Sequence, residues 1–297
     1  MRLGLIILAG ALAALASQSL AAEDELTGTL KKMRDSRSVT LGVRENSIPF
    51  SFPNPGGRSV GYSVDLCQEV IAQATSELDV EAIEVKYKTV TPANRISMLQ
   101  SGEIDLECGA TTNNRQRQRE VAFSPVIFVA GTKLLVKQGS PIGSYRQLKG
   151  KSVAVAAGTT NEAALQTLNE KQRLGMTLVR TTDNAASFVL LQSGQVEALA
   201  GDDVLLYGLV AKAHEEGKFK IVGEYLSYDP YGLMYRKDDP AFAALVERTF
   251  RQLAENREIV RLYDTWFLKR LPGGDILNIP MSPQLEELFH VLGVPDS

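Results

Sequence analysis

The chain has 297 residues, 44% of them hydrophobic and 23% charged, with 32 basic and 35 acidic side chains for a formal net charge of −3. That length suits one large domain or two small ones, and the near balance of charge argues against a nucleic-acid partner. The two histidines, His214 and His290, have no second ligand at metal spacing nearby, and no glycine-rich phosphate loop or Gly-x-Ser-x-Gly elbow is present, so nothing points to a metal centre or a nucleophile.

Arg2, the apolar run of residues 3–15 and the small residues around 19–22 read as a secretory signal, 1–22, cleaved near Ala22 and too short for a membrane anchor. An uncleaved signal anchor fits less well, because small residues stand where a peptidase needs them. Removal of Arg2 with the signal leaves 31 basic against 35 acidic residues, a net −4. In an exported chain the even count of two cysteines, Cys67 and Cys108, favours a disulfide over two buried free thiols.

Residues 23–37 are charged and weakly helical, a lead-in and first helix. Val39, Leu41 and Val43 then alternate as a strand that ends at Arg44. A charge at the carboxyl end of a strand can face a cleft, or it can be an edge arginine in water. Phe50 and Phe52 either line the cleft mouth or cover the core. Between Tyr62 and Leu78 the residues Leu66, Val70, Ile71, Ala74 and Leu78 share one helical face, which predicts a core helix. A strand over 80–90 follows, and Thr91-Pro92 then supplies a capping hydroxyl and a first-turn proline for a helix that ends at Gly102. Arg95 sits in that first turn, pointing across a cleft or lying on the surface.

Ile104, Leu106 and Cys108 alternate with polar residues as a half-buried strand does, and Gly109 releases the chain into Ala110-Thr-Thr-Asn-Asn-Arg-Gln-Arg-Gln-Arg119. Thr111 and Thr112 can donate from a helix start, and Arg117 can give a carboxylate two parallel N–H bonds. The plainer alternative is a capped surface helix with solvated arginines. Arg115, Arg117 and Arg119 cannot all serve one ligand, since alternate helix residues point to different faces.

Residues 126–136 are apolar and strand-like, broken at Gly131, and read as a crossing into a second lobe. Residues 141–150 form a turn region. A strand over 152–156 ends at Gly158, after which Thr159 and Glu162 fit a capping box; its free N–H groups either take a ligand carboxylate or belong to an ordinary helix. Thr181-Thr-Asp-Asn184 opens a helix through Phe188 and Leu191 that ends at Ser193-Gly194. A strand over 196–200 then brings Asp202-Asp203 to its carboxyl end, as an ammonium acceptor or as a helix cap. A strand over 220–224 and a return crossing over 227–234 lead to Asp239-Pro240. These start a helix to Glu255 with Phe242, Leu245, Val246, Phe250 and Leu253 on its inner face. Residues 259–267 carry the single tryptophan, Trp266, as a core residue, and the tail 271–297 holds a short amphipathic helix over 283–291.

Val43-Arg-Glu-Asn-Ser-Ile-Pro-Phe-Ser51, Gly61-Tyr-Ser63, Asn94-Arg-Ile96, the stretch 107–124, Ala157-Gly-Thr-Thr160, and Tyr231-Gly232 through Arg236-Lys-Asp-Asp-Pro240 occur in that order. Together they resemble the amino-acid-binding proteins of bacterial ABC importers, solute-binding protein family 3, in their glutamate/aspartate-binding branch. The alternating strands and helices already suggest a two-lobed α/β chain; the resemblance implies the type II periplasmic-binding-protein fold. Lobe 1 would be 37–130 with 231–270, lobe 2 would be 131–230, and 271–297 would be a tail packed on the lobes. Hinges would lie near 131–133 and 228–232.

The resemblance further implies a periplasmic monomer without cofactor or turnover that hands its amino acid to an ABC permease in the cytoplasmic membrane. It carries the ligand α-carboxylate to Arg117, the Thr112 region and Thr160. The α-ammonium goes to Asp202 and the carbonyl of Ala110, and the side-chain carboxylate to Arg44 and Arg95. Pro92 and Ala110 stand where that pattern has serine, and Asn184 where it has histidine, so the side-chain subsite is the part that departs. Two other readings remain: a cyclohexadienyl-acid dehydratase, with Glu107 or Glu162 as general acid, and a soluble sensory accessory of a receptor.

Overall fold

The computed structural model describes residues 26–295; the secretory signal expected at 1–22 lies outside them. Two five-stranded sheets organise the chain. The first runs in the order Glu84–Thr89, Ser38–Val43, Leu106–Glu107, Met234–Arg236, Val121–Phe123, its first three strands parallel and the other two antiparallel to their neighbours. The second repeats that plan with Thr177–Thr181, Ser152–Ala156, Ala198–Asp202, Thr132–Lys137 and Phe219–Val222. Helices supply the parallel crossovers: Tyr62–Glu77 and Arg95–Gln100 in the first lobe, Thr160–Gln172 and Asn184–Ser193 in the second.

The chain passes between lobes through Phe128–Ala130 and Gly131, and returns through Asp229–Tyr231. These two crossing segments pair antiparallel, with Asp229 opposite Ala130 and Tyr231 opposite Phe128.

Core patterning explains each element. Leu66, Val70 and Ala74 of Tyr62–Glu77, Phe242, Leu245 and Phe250 of Pro240–Glu255, and Ile259 and Phe267 of Glu258–Phe267 enclose one face of the first sheet. Phe50 sits at the centre of this core, edge-on to Phe128, Tyr231 and Phe267, and Phe52 meets Trp266, so both phenylalanines are core residues and do not line a cleft mouth. Trp266 is buried as expected, with its indole N–H donating to Asp65 at 2.7 Å. In the second lobe, Val153 and Val155 of Ser152–Ala156 face Leu134, Leu165 and Ala200, whereas Ala154 faces Leu135, Phe188 and Leu191. Both faces are covered, as parallel strands require.

Four local expectations change. Residues 104–108 contain only a two-residue strand, Leu106–Glu107, and every position is buried, not alternately so. Asp105 explains one polar face: it takes Lys32 at 2.8 Å, Arg236 at 2.9 Å and the backbone N–H of Thr40 at 3.0 Å. The helix after Pro92 starts at Arg95, and Thr91 does not cap it; the Asn94 side chain instead accepts from the Thr91 N–H. The basic stretch forms one 3-10 turn, Arg117–Arg119, before the next strand. Of its three arginines only Arg117 is buried. The strand expected over 80–90 is Glu84–Thr89, an exposed sheet edge.

The tail reaches both lobes. Leu285 and Phe289 of the helix Pro283–Leu292 enter the first-lobe core, while Ile276 and Leu277 line one hollow with Leu135, Tyr207 and Phe219 of the second. Asp275 meets His214 at 3.2 Å across that contact. Among the described residues no helix is long and apolar enough to cross a membrane.

Candidate ligand-binding site

A narrow cavity of ≈ 20 Å³ lies between the lobes where the carboxyl ends of six parallel strands converge. Apolar strands that stop at polar residues put those residues at the sheet ends, which is where open α/β sheets bind ligands. Ser38–Val43 delivers Arg44, Asn46 and Ser47; Glu84–Thr89 delivers Pro92 and Arg95; Leu106–Glu107 delivers Ala110 and Thr112. From the other lobe Ser152–Ala156 delivers Thr159, Thr160 and Asn161, Thr177–Thr181 delivers Asn184, and Ala198–Asp202 ends at Asp202.

Seven of the eight residues singled out from sequence therefore line one cavity: Arg44, Arg95, Ala110, Thr112, Thr160, Asn184 and Asp202. Arg117 does not reach its lining. Its guanidinium donates instead to the carbonyls of Thr112, at 3.0 Å, and Gly158, at 3.3 Å, tying the lobes at the cavity edge. Thr112 and Thr160, one from each lobe, are 3.2 Å apart at their hydroxyls. On the opposite side Asn46 donates to Asp183 at 3.2 Å and accepts from Lys212 at 3.2 Å. The lobes thus touch on both sides of the cavity.

The electrostatics of the two ends differ. At one end lie Arg44 and Arg95, both nearly buried. Burial and the neighbouring Arg95 charge push Arg44 down to about 10. Burial likewise lowers Arg95, against the opposing pull of Glu107. Among the described residues the Arg44 guanidinium makes no hydrogen bond, and Arg95 Nε is buried without a partner, although Arg95 Nη1 donates to Thr111 Oγ1 and to the Ala110 carbonyl. Asn184 Oδ1 is buried and unpaired as well. The two guanidiniums are costly to bury alone and are satisfied when an anion arrives, whereas Asn184 Oδ1 is an acceptor and needs a ligand N–H.

At the other end Asp202 accepts from Asn161 Nδ2 at 2.7 Å and from the Tyr231 hydroxyl. Burial and the nearby Asp229 raise Asp202 to about 7, against the pull of those two donors. Asp229 is itself buried, taking Thr112 Oγ1 at 3.1 Å and the Ser227 hydroxyl. Asn161 and Asp229 were missed in the sequence. Asn161 carried no signal beyond its place inside the capping sequence, whereas a carboxylate in the otherwise apolar return crossing could have drawn notice to Asp229.

The capping box is shifted by one position. Thr159 caps the helix Thr160–Gln172 by accepting from Glu162 N at 3.2 Å, but Glu162 reaches back to Gly158 N at 2.9 Å and not to the cap itself. Cys67 and Cys108 form a disulfide between the helix Tyr62–Glu77 and the segment that feeds the cavity. Among the described residues no cluster of histidine, cysteine or carboxylate side chains could hold a metal.

The amino-acid sequence matches the bacterial extracellular solute-binding proteins, family 3, over residues 39–269. It is 40% identical to an L-glutamate/L-aspartate-binding protein of Pseudomonas aeruginosa, over 97% of this chain and 96% of that one. It is 39% identical to a glutamate/aspartate import solute-binding protein of Escherichia coli K12, over 95% of this chain and 94% of the relative. Among solved structures, a mutant of the arginine-binding protein ArgBP from T. maritima superposes with a TM-score of 0.71 at 26% identity, covering 80% of this chain and 98% of that one. The architecture is the two-lobed type II periplasmic-binding-protein fold, and the chain belongs to family 3 of the bacterial extracellular solute-binding proteins.

Proposed function

We propose that this protein is the periplasmic amino-acid-binding component of an ABC importer and that its ligand is an acidic amino acid, glutamate or aspartate. The observation that carries the ligand class is the pair of guanidiniums lining one end of the cavity, Arg44 without a hydrogen bond among the described residues and Arg95 with a buried, free Nε. A side-chain carboxylate relieves that charge, whereas a neutral amide leaves it in place. The α-ammonium goes to Asp202 and to the Ala110 carbonyl, which also accepts from Arg95, and the α-carboxylate to Thr112 and Thr160; Arg117 serves it only by turning in from the carbonyls of Thr112 and Gly158 that it now holds at the cavity edge. The names of the relatives from P. aeruginosa and E. coli support the same class. The protein then works as a monomer, closing about the crossings near 131–133 and 228–232 and passing its ligand to a membrane permease driven by a separate ATPase.

A dehydratase needs a proton donor over its substrate. Neither carboxylate considered for that role lines the cavity: Glu107 is buried behind Arg95 and Thr111, and Glu162 pairs with Arg180. Asp202 does face the cavity, but both its oxygens are already taken, by Asn161 Nδ2 and the Tyr231 hydroxyl, and a ligand ammonium is what offsets its buried charge.

Pro92 and Asn184 each remove about one hydrogen bond from the serine and histidine pattern, a net ~0.5–1.5 kcal/mol apiece, so affinity weakens before selectivity reverses. Titration calorimetry with a panel of amino acids tests the reading. Arg95→Ala is expected to cost on the order of 2–5 kcal/mol for glutamate or aspartate and much less for glutamine or asparagine. Equal losses, or tight binding of a neutral amino acid with none of either acid, would overturn it.

A further inference from the structure

Glu107 has no place in the ligand contacts above, yet it is wholly buried beside all three site arginines. Its Oε2 accepts from Thr111 Oγ1 at 2.8 Å, and Thr111 Oγ1 in turn accepts from Arg95 Nη1. Its Oε1 has no hydrogen-bond partner and stands 3.9 Å from Arg95 Nη1. A Cβ on Gly109 would fall 2.3 Å from that Oε1 and 3.1 Å from Arg44 Cγ, so glycine at 109 is what leaves the carboxylate room between the two arginines.

An ordinary buried ion pair closes to a forked contact, with two short N–H bonds to one carboxylate. Here the threonine holds carboxylate and guanidinium apart. Arg95 Nη1 is spent on Thr111 and the Ala110 carbonyl, while the rest of the guanidinium stays available to the cavity that Arg95 lines.

We propose that Glu107 is a specificity-setting positioning residue, which offsets the charge of one of the two subsite arginines and, through Thr111, aims Arg95 into the cavity. The subsite is left with one uncompensated positive charge, matched to one carboxylate. The proposal rests on the reading of the ligand as an acidic amino acid. Without Glu107 a second charge is unmasked, and the site should favour acids over amides more steeply than the native protein does.

The test is the ratio of dissociation constants for glutamine and glutamate, measured by calorimetry on the whole exported protein. Glu107→Gln is expected to raise that preference for the acid by about tenfold or more, even if both affinities fall. Glu107→Asp keeps the charge and should retain the native ratio. Thr111→Val keeps the charge but frees Arg95, and should lower the ratio. Parallel losses for acid and amide in Glu107→Gln, or the same rise in Glu107→Asp, would overturn the role. If Glu107→Gln does not fold, an unmoved ratio in Thr111→Val overturns it. Failure of the native protein to bind either acid sinks the ligand reading itself; native binding with unmoved ratios in the variants sinks only the role of Glu107.

Discussion

Asp202 illustrates how a binding residue is tuned by its burial. With the lobes together and the cavity empty, it is raised to about 7 because burial and Asp229 disfavour its charge more than Asn161 and Tyr231 support it. A ligand ammonium supplies the missing counter-charge and lowers that value, so binding expels a proton wherever the free protein still holds one. The sign follows. For the free protein, a raised carboxyl contributes stability that is complete below the unfolded value near ~4 and is lost as pH rises through about 7. For the ligand the direction is opposite: affinity should climb with pH up to about 7 and then level. Calorimetry in buffers of different ionisation enthalpy should therefore find release of up to about one proton per ligand at mildly acidic pH, fading at alkaline pH. Asp202→Asn should abolish the release, and an absence of proton exchange in the native protein would refute the linkage.

Among the elements, the helix Tyr62–Glu77 is fastened to the segment beneath the site by Cys67–Cys108, 41 residues apart in sequence. Closing a loop of this length stabilises by about 4 kcal/mol in the chain-entropy model, less any strain. Cys67→Ala with Cys108→Ala should lower the urea-extrapolated stability by a comparable amount, and a double variant as stable as the native protein would contradict it. Local signals explain which elements were legible. Asp239-Pro240 followed by inward Phe242, Leu245, Val246 and Phe250 located the helix Pro240–Glu255 to the residue, since cap, first-turn proline and apolar stripe agree. Strand ends were legible for the same reason, and they carried most of the cavity lining. Residues 104–108 depart from the alternating pattern because Asp105 is paired with groups far along the chain and Glu107 is bonded on one oxygen by Thr111 in the next turn, which turns an apparently solvated face into a buried one. Asp229 escaped likewise: its partner Thr112 is 117 residues away, a pairing no local pattern encodes.

At the scale of the whole molecule, affinity is shared between ligand contacts and closure, because a site formed only when the lobes meet is weakened by the fraction of molecules not closed. Gly208 marks one close approach of the lobes. It lies in the helix Asp203–Lys212 of the second lobe, against the first-lobe backbone at Ile48, beside Val204 and Leu205, which enter the first-lobe core. A Cβ on it would fall 2.5 Å from the Ile48 carbonyl oxygen and 2.9 Å from Ile48 Cβ. Within the helix alone the same Cβ is favourable, since alanine exceeds glycine by about 0.8–1.0 kcal/mol. The two effects separate by state: Gly208→Ala should leave the unliganded protein as stable as the native one, or slightly more so, while weakening glutamate binding by about tenfold or more. Solution scattering with saturating ligand should then give a larger radius for the variant than for the native protein. An unchanged affinity would mean that Ile48 and the helix do not approach this closely in the bound form, and the contact would lose its place in closure. A fall in unliganded stability would instead mean that the lobes are already pressed together before any ligand arrives.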